Sequence, residues 1–157
     1  MNSRVLPWSE TCFVCGESNP RGLNVRFNQV GDKVVVETVV STEFEGYPGR
    51  VHGGVVSALL DETIGWACSA ATHRLFLTAE LTVRFKRPVP GGEPIVVTGR
   101  MTELTGRVAL AQGRIEDSRG RLLAMARGRF VLLEEEEHRK VVPALKMPGR
   151  QARLEDV

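Results

Sequence analysis

Low net charge and the lack of aromatic side chains interleaved with basic ones argue against a nucleic-acid-binding protein. The chain has 157 residues, with 21 Lys and Arg against 19 Asp and Glu, so its formal net charge is only +2, and aromatic residues make up 6%. This balance gives no reason to expect nucleic acid or an anionic membrane surface as a partner. Single-stranded nucleic acid is further disfavoured because no aromatic residues are interleaved with the basic ones at stacking spacing.

Cysteine is also scarce. The three cysteines, Cys12, Cys15 and Cys68, cannot all pair within one chain, which argues against a secreted disulfide framework. Cys12 and Cys15 have the spacing of zinc ligands or of a redox pair, but there is no second such pair and the histidines are not at ligand spacing. We therefore expect no metal site and interpret Cys12 to Cys15 as a structural turn, with zinc binding and redox chemistry as the alternatives.

A long apolar run free of charge is missing as well. The N-terminal residues MNSRVLPWSETCF contain no continuous apolar stretch of signal-peptide length. The longest apolar region, Val55 to Ala71, carries Asp61 and Glu62 near its centre, and each would cost about 2.5–3.5 kcal/mol or somewhat less in lipid. We expect a cytoplasmic protein with no membrane partner and, from its length, one globular domain.

Hydrophobic periodicity predicts two strands, one long helix and four further strands. The first strands are the alternating residues 23–28 and residues 33–40, joined by a tight turn at Gly31-Asp32. A loop over 41–52 leads to a helix from about Gly53 to Ala71 that is apolar on more than one face. Extended runs at about 81–86, 94–103, 107–116 and 121–133 then predict a meander. The fold class is α+β, with an antiparallel sheet curled around one helix.

Two charged residues interrupt the predicted helix. Asp61 is either an exposed helix acid or a partly desolvated carboxylate beside a cavity, and the small or apolar neighbours at its i±3 and i±4 positions favour the second interpretation. Such a carboxylate is a candidate general base or nucleophile with a raised pKa. Glu62 points about 100° away from it, and we interpret Glu62 as an ordinary acid.

The helix begins with His52, Gly53 and Gly54. Backbone N–H groups in the first turn of a helix have no partner inside it, and glycines let a ligand approach them closely. Together with the positive end of the helix dipole they form a site for a carbonyl oxygen that develops negative charge. The pattern is equally consistent with a tight loop-to-helix transition.

Several short motifs follow one another in a specific order. They are Cys12-Phe13-x-Cys15-Gly16, Asn19-Pro20-x-Gly22-Leu23, Pro48-Gly49-x-x-His52-Gly53-Gly54 with Asp61 nine residues after the histidine, Thr78-Ala79-x-Leu81, and Lys86-Arg87-Pro88-x-Pro90. This ordered set, over about residues 12–132, resembles the PaaI-like hotdog-fold acyl-CoA thioesterases. The resemblance implies a hotdog domain over 23–133, between an N-terminal segment (1–22) and a charged tail (134–157) that we expect to be mobile or at the surface.

The resemblance also implies the roles of particular residues. Asp61 would be the catalytic carboxylate, the N–H of Gly53 or Gly54 would hold the thioester carbonyl, and His52 would shape the turn or contact that carbonyl. Thr78 would supply a hydroxyl that positions the carboxylate or water. The site would lie between the subunits of a homodimer, which often pairs again into a homotetramer, and would need no cofactor.

Two features of this chain depart from the family pattern. Gly46 occupies a position where some relatives carry Asn or Gln, and we hypothesise that His52 substitutes for that side chain. By strand parity Thr78 lies opposite Leu81, so its approach to Asp61 requires a bend or the end of the strand.

Further candidates concern substrate binding. Arg84, Lys86 and Arg87 are interpreted as a phosphate anchor for coenzyme A, against the alternative of a solvated sheet face. Tyr47 is a candidate for the acyl pocket or simply for the core. The predicted activity is hydrolysis of an acyl-CoA to free acid and CoA. The alternatives are a hotdog dehydratase or hydratase, a non-catalytic acyl-CoA-binding module and a small metal-binding module.

Overall fold

A curved antiparallel sheet wraps around one long helix in the computed structural model, which describes residues 3–157; residues 1 and 2 of the predicted N-terminal segment lie outside it. The main elements are β1 (Ser3–Val5), β2 (Asn28–Val30), β3 (Lys33–Val39), β4 (Glu45–Tyr47), β5 (Arg50–Val51), α1 (Gly53–Thr72), β6 (Phe76–Phe85), β7 (Pro94–Thr105), β8 (Val108–Asp117), β9 (Leu122–Leu132), α2 (Glu135–Val141), β10 (Lys146–Met147) and β11 (Arg150–Gln151). The predicted α+β architecture is confirmed. Within the described residues, no helix combines the length and apolar character needed to cross a membrane.

The order of strands differs from the predicted meander. Among residues 3–157, seven strands form the main sheet in the order β1-β2-β3-β7-β8-β9-β6. Only β7, β8 and β9 form a meander, while β6 pairs with β9, from Phe76 opposite Leu132 to Phe85 opposite Ala124. The free edge of β7 is taken by β3. The prediction of four consecutive neighbours is wrong because periodicity reports which residues are extended, whereas the partner of a strand depends on where the loop after β6 carries the chain.

The first predicted strand is also shorter than expected. Val25 and Phe27 are buried as the alternation predicts, but the strand begins only at Asn28. The N–H groups of Leu23 and Val25 donate to the carbonyls of Phe13 and Val14 instead of to a strand of the sheet, because this stretch packs against the N-terminal segment. The tight turn at Gly31-Asp32 is confirmed, since Val30 pairs directly with Lys33.

The packing of α1 on the sheet relies on glycines in three neighbouring strands. Gly99 and Gly113 are paired across β7 and β8, and Gly128 lies on β9. A Cβ atom on Gly113 would lie 2.5 Å from Ile64 Cγ2, one on Gly99 would lie 3.1 Å from the same atom, and one on Gly128 would lie 3.0 Å from Ile64 Cδ1. Glycine inside a strand often marks a close approach of this kind, and here it lets the fully buried Ile64 of α1 rest directly against the backbone of the sheet.

The C-terminal residues differ from the predicted surface tail. Val142, Leu145, Ala152 and Val157 are buried and belong to the same apolar core as α1 and the sheet. Lys146 bridges to Trp8, so this segment packs against the N-terminal one. The charged run that suggested a surface position folds into α2, whose acids and bases pair along the helix, leaving the apolar residues that follow free to pack inward.

The contact between Gly113 and Ile64 predicts that adding one methyl group at position 113 destabilises the protein. Gly113→Ala is expected to lower the free energy of unfolding by about 1–2 kcal/mol, because overpacking against Ile64 outweighs the smaller entropic gain of replacing glycine. Ile64→Leu removes the Cγ2 branch at nearly constant volume, so the losses of the two variants should be less than additive in the double mutant by at least about 0.5 kcal/mol. Denaturant unfolding measures all three variants; full additivity would contradict the proposed contact.

Candidate active site

The N-terminus of α1 is capped by its own flanking histidine. His52 is the N-cap residue, and its Nδ1 accepts a hydrogen bond of 2.9 Å from the Gly54 N–H. In a neutral imidazole that arrangement leaves the proton on Nε2, which becomes a donor. Among residues 3–157 the Gly53 N–H has no acceptor. Of the two predicted N–H donors, therefore, Gly53 is available and Gly54 is already bonded within the chain.

The surroundings of His52 explain the glycine at position 46. A Cβ atom on Gly46 would lie 3.3 Å from His52 Cδ2, so the imidazole occupies the space beside this backbone. The Phe85 ring lies next to Gly53, because a Cβ atom on Gly53 would be 3.5 Å from Phe85 Cζ. The first helical turn thus presents an N–H donor and an imidazole next to an aromatic ring that is 54% exposed.

Asp61 and Thr78 are brought together by the fold. Thr78 Oγ1 donates a hydrogen bond of 2.9 Å to Asp61 Oδ1. Both residues line a pocket of about 200 Å³ that Gly65, Trp66 and Phe130 also border. Burial raises the pKa of the Asp61 carboxyl, while the hydrogen bond from Thr78 acts in the opposite direction. The predicted environment of Asp61, a partly desolvated carboxylate beside a cavity, is present.

A β-bulge in β6 makes the contact between Thr78 and Asp61 possible. Thr78 pairs with Phe130 and Glu80 pairs with Arg129, so Ala79 is an extra residue on one strand. Inserting one residue reverses the alternation of side chains, which places Thr78 on the same face as Leu81. The bend that the sequence required of Thr78 is therefore supplied by the bulge.

The two halves of the predicted site are far apart within one chain. Asp61 follows Gly53 by eight residues on a continuous helix, and at 1.5 Å per residue the two lie about 12 Å apart along its axis. One thioester group therefore cannot contact both the Gly53 N–H and the Asp61 carboxylate of the same chain.

The predicted substrate-binding residues lie in different places. Tyr47 is 76% exposed at the end of β4. Lys86 and Arg87 follow β6, and Arg87 Nη1 donates to the carbonyl of Leu122 at 2.8 Å. Arg84 lies in an open groove of about 620 Å³ on the sheet face opposite α1, together with other basic residues of that face. The structure therefore does not group Arg84 with Asp61.

Glu62 is the residue that sequence reasoning missed, and its interpretation as an ordinary acid is wrong. Its Oε1 lies 3.3 Å from Cys12 Sγ and 3.0 Å from Cys15 Sγ, and Trp66 Nε1 donates to the same oxygen at 3.4 Å. Burial is the main cause that raises the pKa of Glu62 to about 7. The separation of some fifty positions between the cysteines and Glu62 left no local signal for this cluster. Burial also raises the pKa of Cys68 to about 12, which keeps this thiol protonated and makes it a poor nucleophile.

A long helix enclosed by a curved antiparallel sheet is the architecture known as the hotdog fold. Residues 48–124, just under half of the chain, match the family model described as the thioesterase superfamily. This match confirms the resemblance to thioesterases that the motifs predicted, and similar solved structures confirm the fold.

Individual known thioesterases are also similar to this chain in sequence or in structure. The chain is 30% identical over 78 residues to the mouse acyl-coenzyme A thioesterase THEM4, a match that covers 50% of this chain and 33% of THEM4. The chain therefore spans only about a third of the length of that relative. The crystal structure of RHA08564, a thioesterase superfamily protein, superposes with a TM-score of 0.73 and 31% identity over 78% of this chain and 60% of that one. The E. coli PaaI protein, at 19% identity and a TM-score of 0.65 over 71% of this chain and 80% of that one, shares the fold.

The burial of Asp61 predicts that its charge destabilises the folded protein. Asp61→Asn is expected to raise the free energy of unfolding at neutral pH by about 0.5 kcal/mol or more, because it removes a desolvated charge and keeps an oxygen that accepts from Thr78. Asp117 is the matched control. Its carboxylate accepts hydrogen bonds from the backbone of Arg121 and Arg119 and from the Arg121 side chain, which hold its pKa below the usual range. Asp117→Asn should therefore lose stability in denaturant unfolding; an equal loss in both variants would contradict the prediction.

Proposed function

We propose that this protein hydrolyses the thioester of an acyl-CoA to a free acid and CoA. The observation that carries the proposal is the hydrogen bond between Thr78 and the partly desolvated Asp61 carboxylate at a pocket on α1. The match of residues 48–124 to the thioesterase superfamily model supports hydrolysis in general. The name of the THEM4 relative supports coenzyme A as the carrier.

Asp61 takes part in one of two ways. It takes a proton from a water molecule that attacks the carbonyl carbon of the thioester, or its carboxylate attacks that carbon directly. In both cases a C–O bond forms, the C–S bond breaks, and the sulfur leaves with the electron pair and takes up a proton. After direct attack, water then hydrolyses the anhydride formed on Asp61, which releases the free acid and restores the carboxylate. Thr78 holds Oδ1 through its hydroxyl, which leaves Oδ2 to face the water or the substrate. General base catalysis of this kind contributes about 10²–10⁴-fold to a rate.

The first turn of α1 stabilises the oxygen on which negative charge develops. The donors we assign to this oxygen are the His52 Nε2–H and the Gly53 N–H, which has no acceptor among residues 3–157. The positive end of the helix dipole adds to their effect. His52 thereby takes the place of the side chain that Gly46 lacks. The step needs no cofactor, because the carboxylate supplies the base and the helix terminus supplies the electrophilic stabilisation.

Two copies of the chain complete one site in this proposal. Because about 12 Å separates Gly53 from Asp61 along α1, the carbonyl donors must come from a second copy. Strand β6 supports a homodimer, since in the described part of the chain only β9 pairs with it and its other edge is free. The half-exposed Phe85 on this strand adds apolar surface. Further pairing of dimers gives a homotetramer.

The remaining substrate contacts follow from position. Tyr47, Lys86 and Arg87 lie on loops and strand ends near the start of α1, where Lys86 and Arg87 offer positive charge to the phosphates of coenzyme A. Arg84 is the weakest member of the predicted anchor because it lies on the opposite sheet face. The cytoplasmic location stays a prediction from the sequence.

Thiol release tests the proposal directly. Wild-type protein is expected to release thiol from at least one member of a panel of short, medium, long and aromatic acyl-CoAs, and Asp61→Asn is expected to lose about 10²-fold or more of that rate. Thr82→Val is the matched control, because Thr82 lies on β6 but faces away from α1, and it should keep the wild-type rate. Binding of acyl-CoA without thiol release by the wild type would favour the non-catalytic module instead.

The carbonyl donor is tested by a proline at the first helical residue. Proline is tolerated at this position and removes only the N–H, and His52 already has the extended conformation, φ −58° and ψ 135°, that precedes proline. Gly53→Pro is expected to lower kcat by about 10²-fold or more, whereas Gly53→Ala adds the same Cβ and keeps the donor. Equal rates for the two variants would exclude the Gly53 N–H as a donor.

The shared site is tested with the same variants. When inactive Asp61→Asn and Gly53→Pro chains are unfolded together and refolded, mixed dimers contain one site with both defects and one intact site. About a quarter of the wild-type activity should therefore return. No recovery in mixtures that form dimers would contradict a site built from two chains.

A further inference from the structure

The Cys12 to Cys15 turn has the geometry of a metal-binding knuckle. The N–H groups of Val14 and Cys15 point at Cys12 Sγ, at 3.2 Å and 3.4 Å, and the Gly16 N–H donates to the Cys12 carbonyl at 3.0 Å. Glycine is required after Cys15, since a Cβ atom there would lie 2.4 Å from the Cys12 oxygen. The turn therefore holds both sulfur atoms on one side and directs backbone N–H groups at the first of them.

A third ligand atom reaches this turn from the long helix. Glu62 Oε1 lies 3.3 Å from Cys12 Sγ and 3.0 Å from Cys15 Sγ, and Oε2 lies 3.4 Å from Cys12 Sγ. One ligand atom from each of the three residues fits within 4.8 Å of the others. The residues come from two separate parts of the chain and converge at a half-buried position, which distinguishes the cluster from a surface group of acids.

The hydrogen bonds around the cluster favour a cation over a pair of neutral thiols. Thiols are weak donors, and a carboxylate can accept from both of them. However, two backbone N–H groups directed at Cys12 Sγ stabilise the thiolate. A thiolate beside the Glu62 carboxylate at this distance brings two negative charges together, and a divalent cation between them removes the repulsion.

We propose that Cys12, Cys15 and Glu62 bind one Zn²⁺ ion and thereby fasten the N-terminal segment to the catalytic helix. Zinc takes thiolate sulfur at about 2.3 Å and carboxylate oxygen at about 2.0–2.2 Å, so a tetrahedral site has sulfur-to-oxygen separations of about 3.6 Å. The sulfur and oxygen atoms of this cluster lie 3.0 and 3.3 Å apart, so they need to separate by about 0.3–0.6 Å to reach this geometry. Water occupies the fourth position.

The proposed zinc ion lies close to the candidate active site and would stabilise the part of α1 that carries Asp61. Glu62 is the residue next to Asp61, and both border the same pocket. An ion held by Glu62 fixes this turn of α1 against the segment around Cys12 and Cys15. The ion is not assigned to the reacting atoms; it stabilises the helix that carries them.

Metal analysis of the full chain tests this proposal without reference to activity. Reduced protein is stripped with a chelator, titrated with Zn²⁺ alone, and examined by thermal unfolding and elemental analysis; Co²⁺ substitution then reports sulfur ligation through a thiolate charge-transfer band. Cys12→Ser and Glu62→Gln remove single ligands. Cys68→Ala is the matched control, because Cys68 is a free, buried cysteine outside the cluster.

We expect wild type and Cys68→Ala to take up about one Zn²⁺ per chain, with a higher Tm when the metal is bound, and the ligand variants to bind at least about 10-fold more weakly. Absence of stoichiometric uptake by the wild-type protein, judged with Zn²⁺ alone, overturns the proposal whether or not the variants fold. Zinc binding by Glu62→Gln equal to that of the wild type also overturns it, since the helix would then supply no ligand.

Discussion

The close contact between α1 and the sheet is the constraint on which the rest of this structure depends. Ile64 lies in the space that side chains on Gly99, Gly113 and Gly128 would otherwise fill. A helix held this close is covered along most of its length, so water reaches its polar side chains only at the margins. The carboxylate of Asp61 lies at such a margin, toward β6, and its partial desolvation is a consequence of the packing.

Adjacent positions on one helix acquire different chemistry because each residue is rotated about 100° from the last. Asp61 faces the hydroxyl of Thr78 beside an open pocket, while Glu62 faces the sulfur atoms of the N-terminal turn. In the proposed reaction Asp61 acts on the substrate or on water, and in the proposed zinc site Glu62 anchors the N-terminal segment. The rigid helix fixes the positions of the two carboxylates relative to each other.

The same rigidity separates the carbonyl donors from the base. A helix cannot bend enough to bring Gly53 and Asp61 to one thioester across about 12 Å, so in the proposed mechanism association of two chains is a chemical requirement as well as a source of stability. The Gly54 N–H is already bonded to His52, so the Gly53 N–H is the backbone donor assigned to the thioester carbonyl. The bond from Gly54 also orients the imidazole, which becomes a second donor in that mechanism.

The sequence by itself determined the elements whose signals are local. The helix predicted over 53–71 is observed as Gly53–Thr72, and the three meander strands lie within two residues of their predicted bounds, because periodicity and turn residues act over a few positions. Tertiary structure alone decided the pairing of β6 with β9, the bulge at Ala79 and the meeting of Glu62 with the cysteines. Each depends on residues far apart in the chain, and a single inserted strand residue reverses the two-residue period, so neither spacing nor composition revealed them.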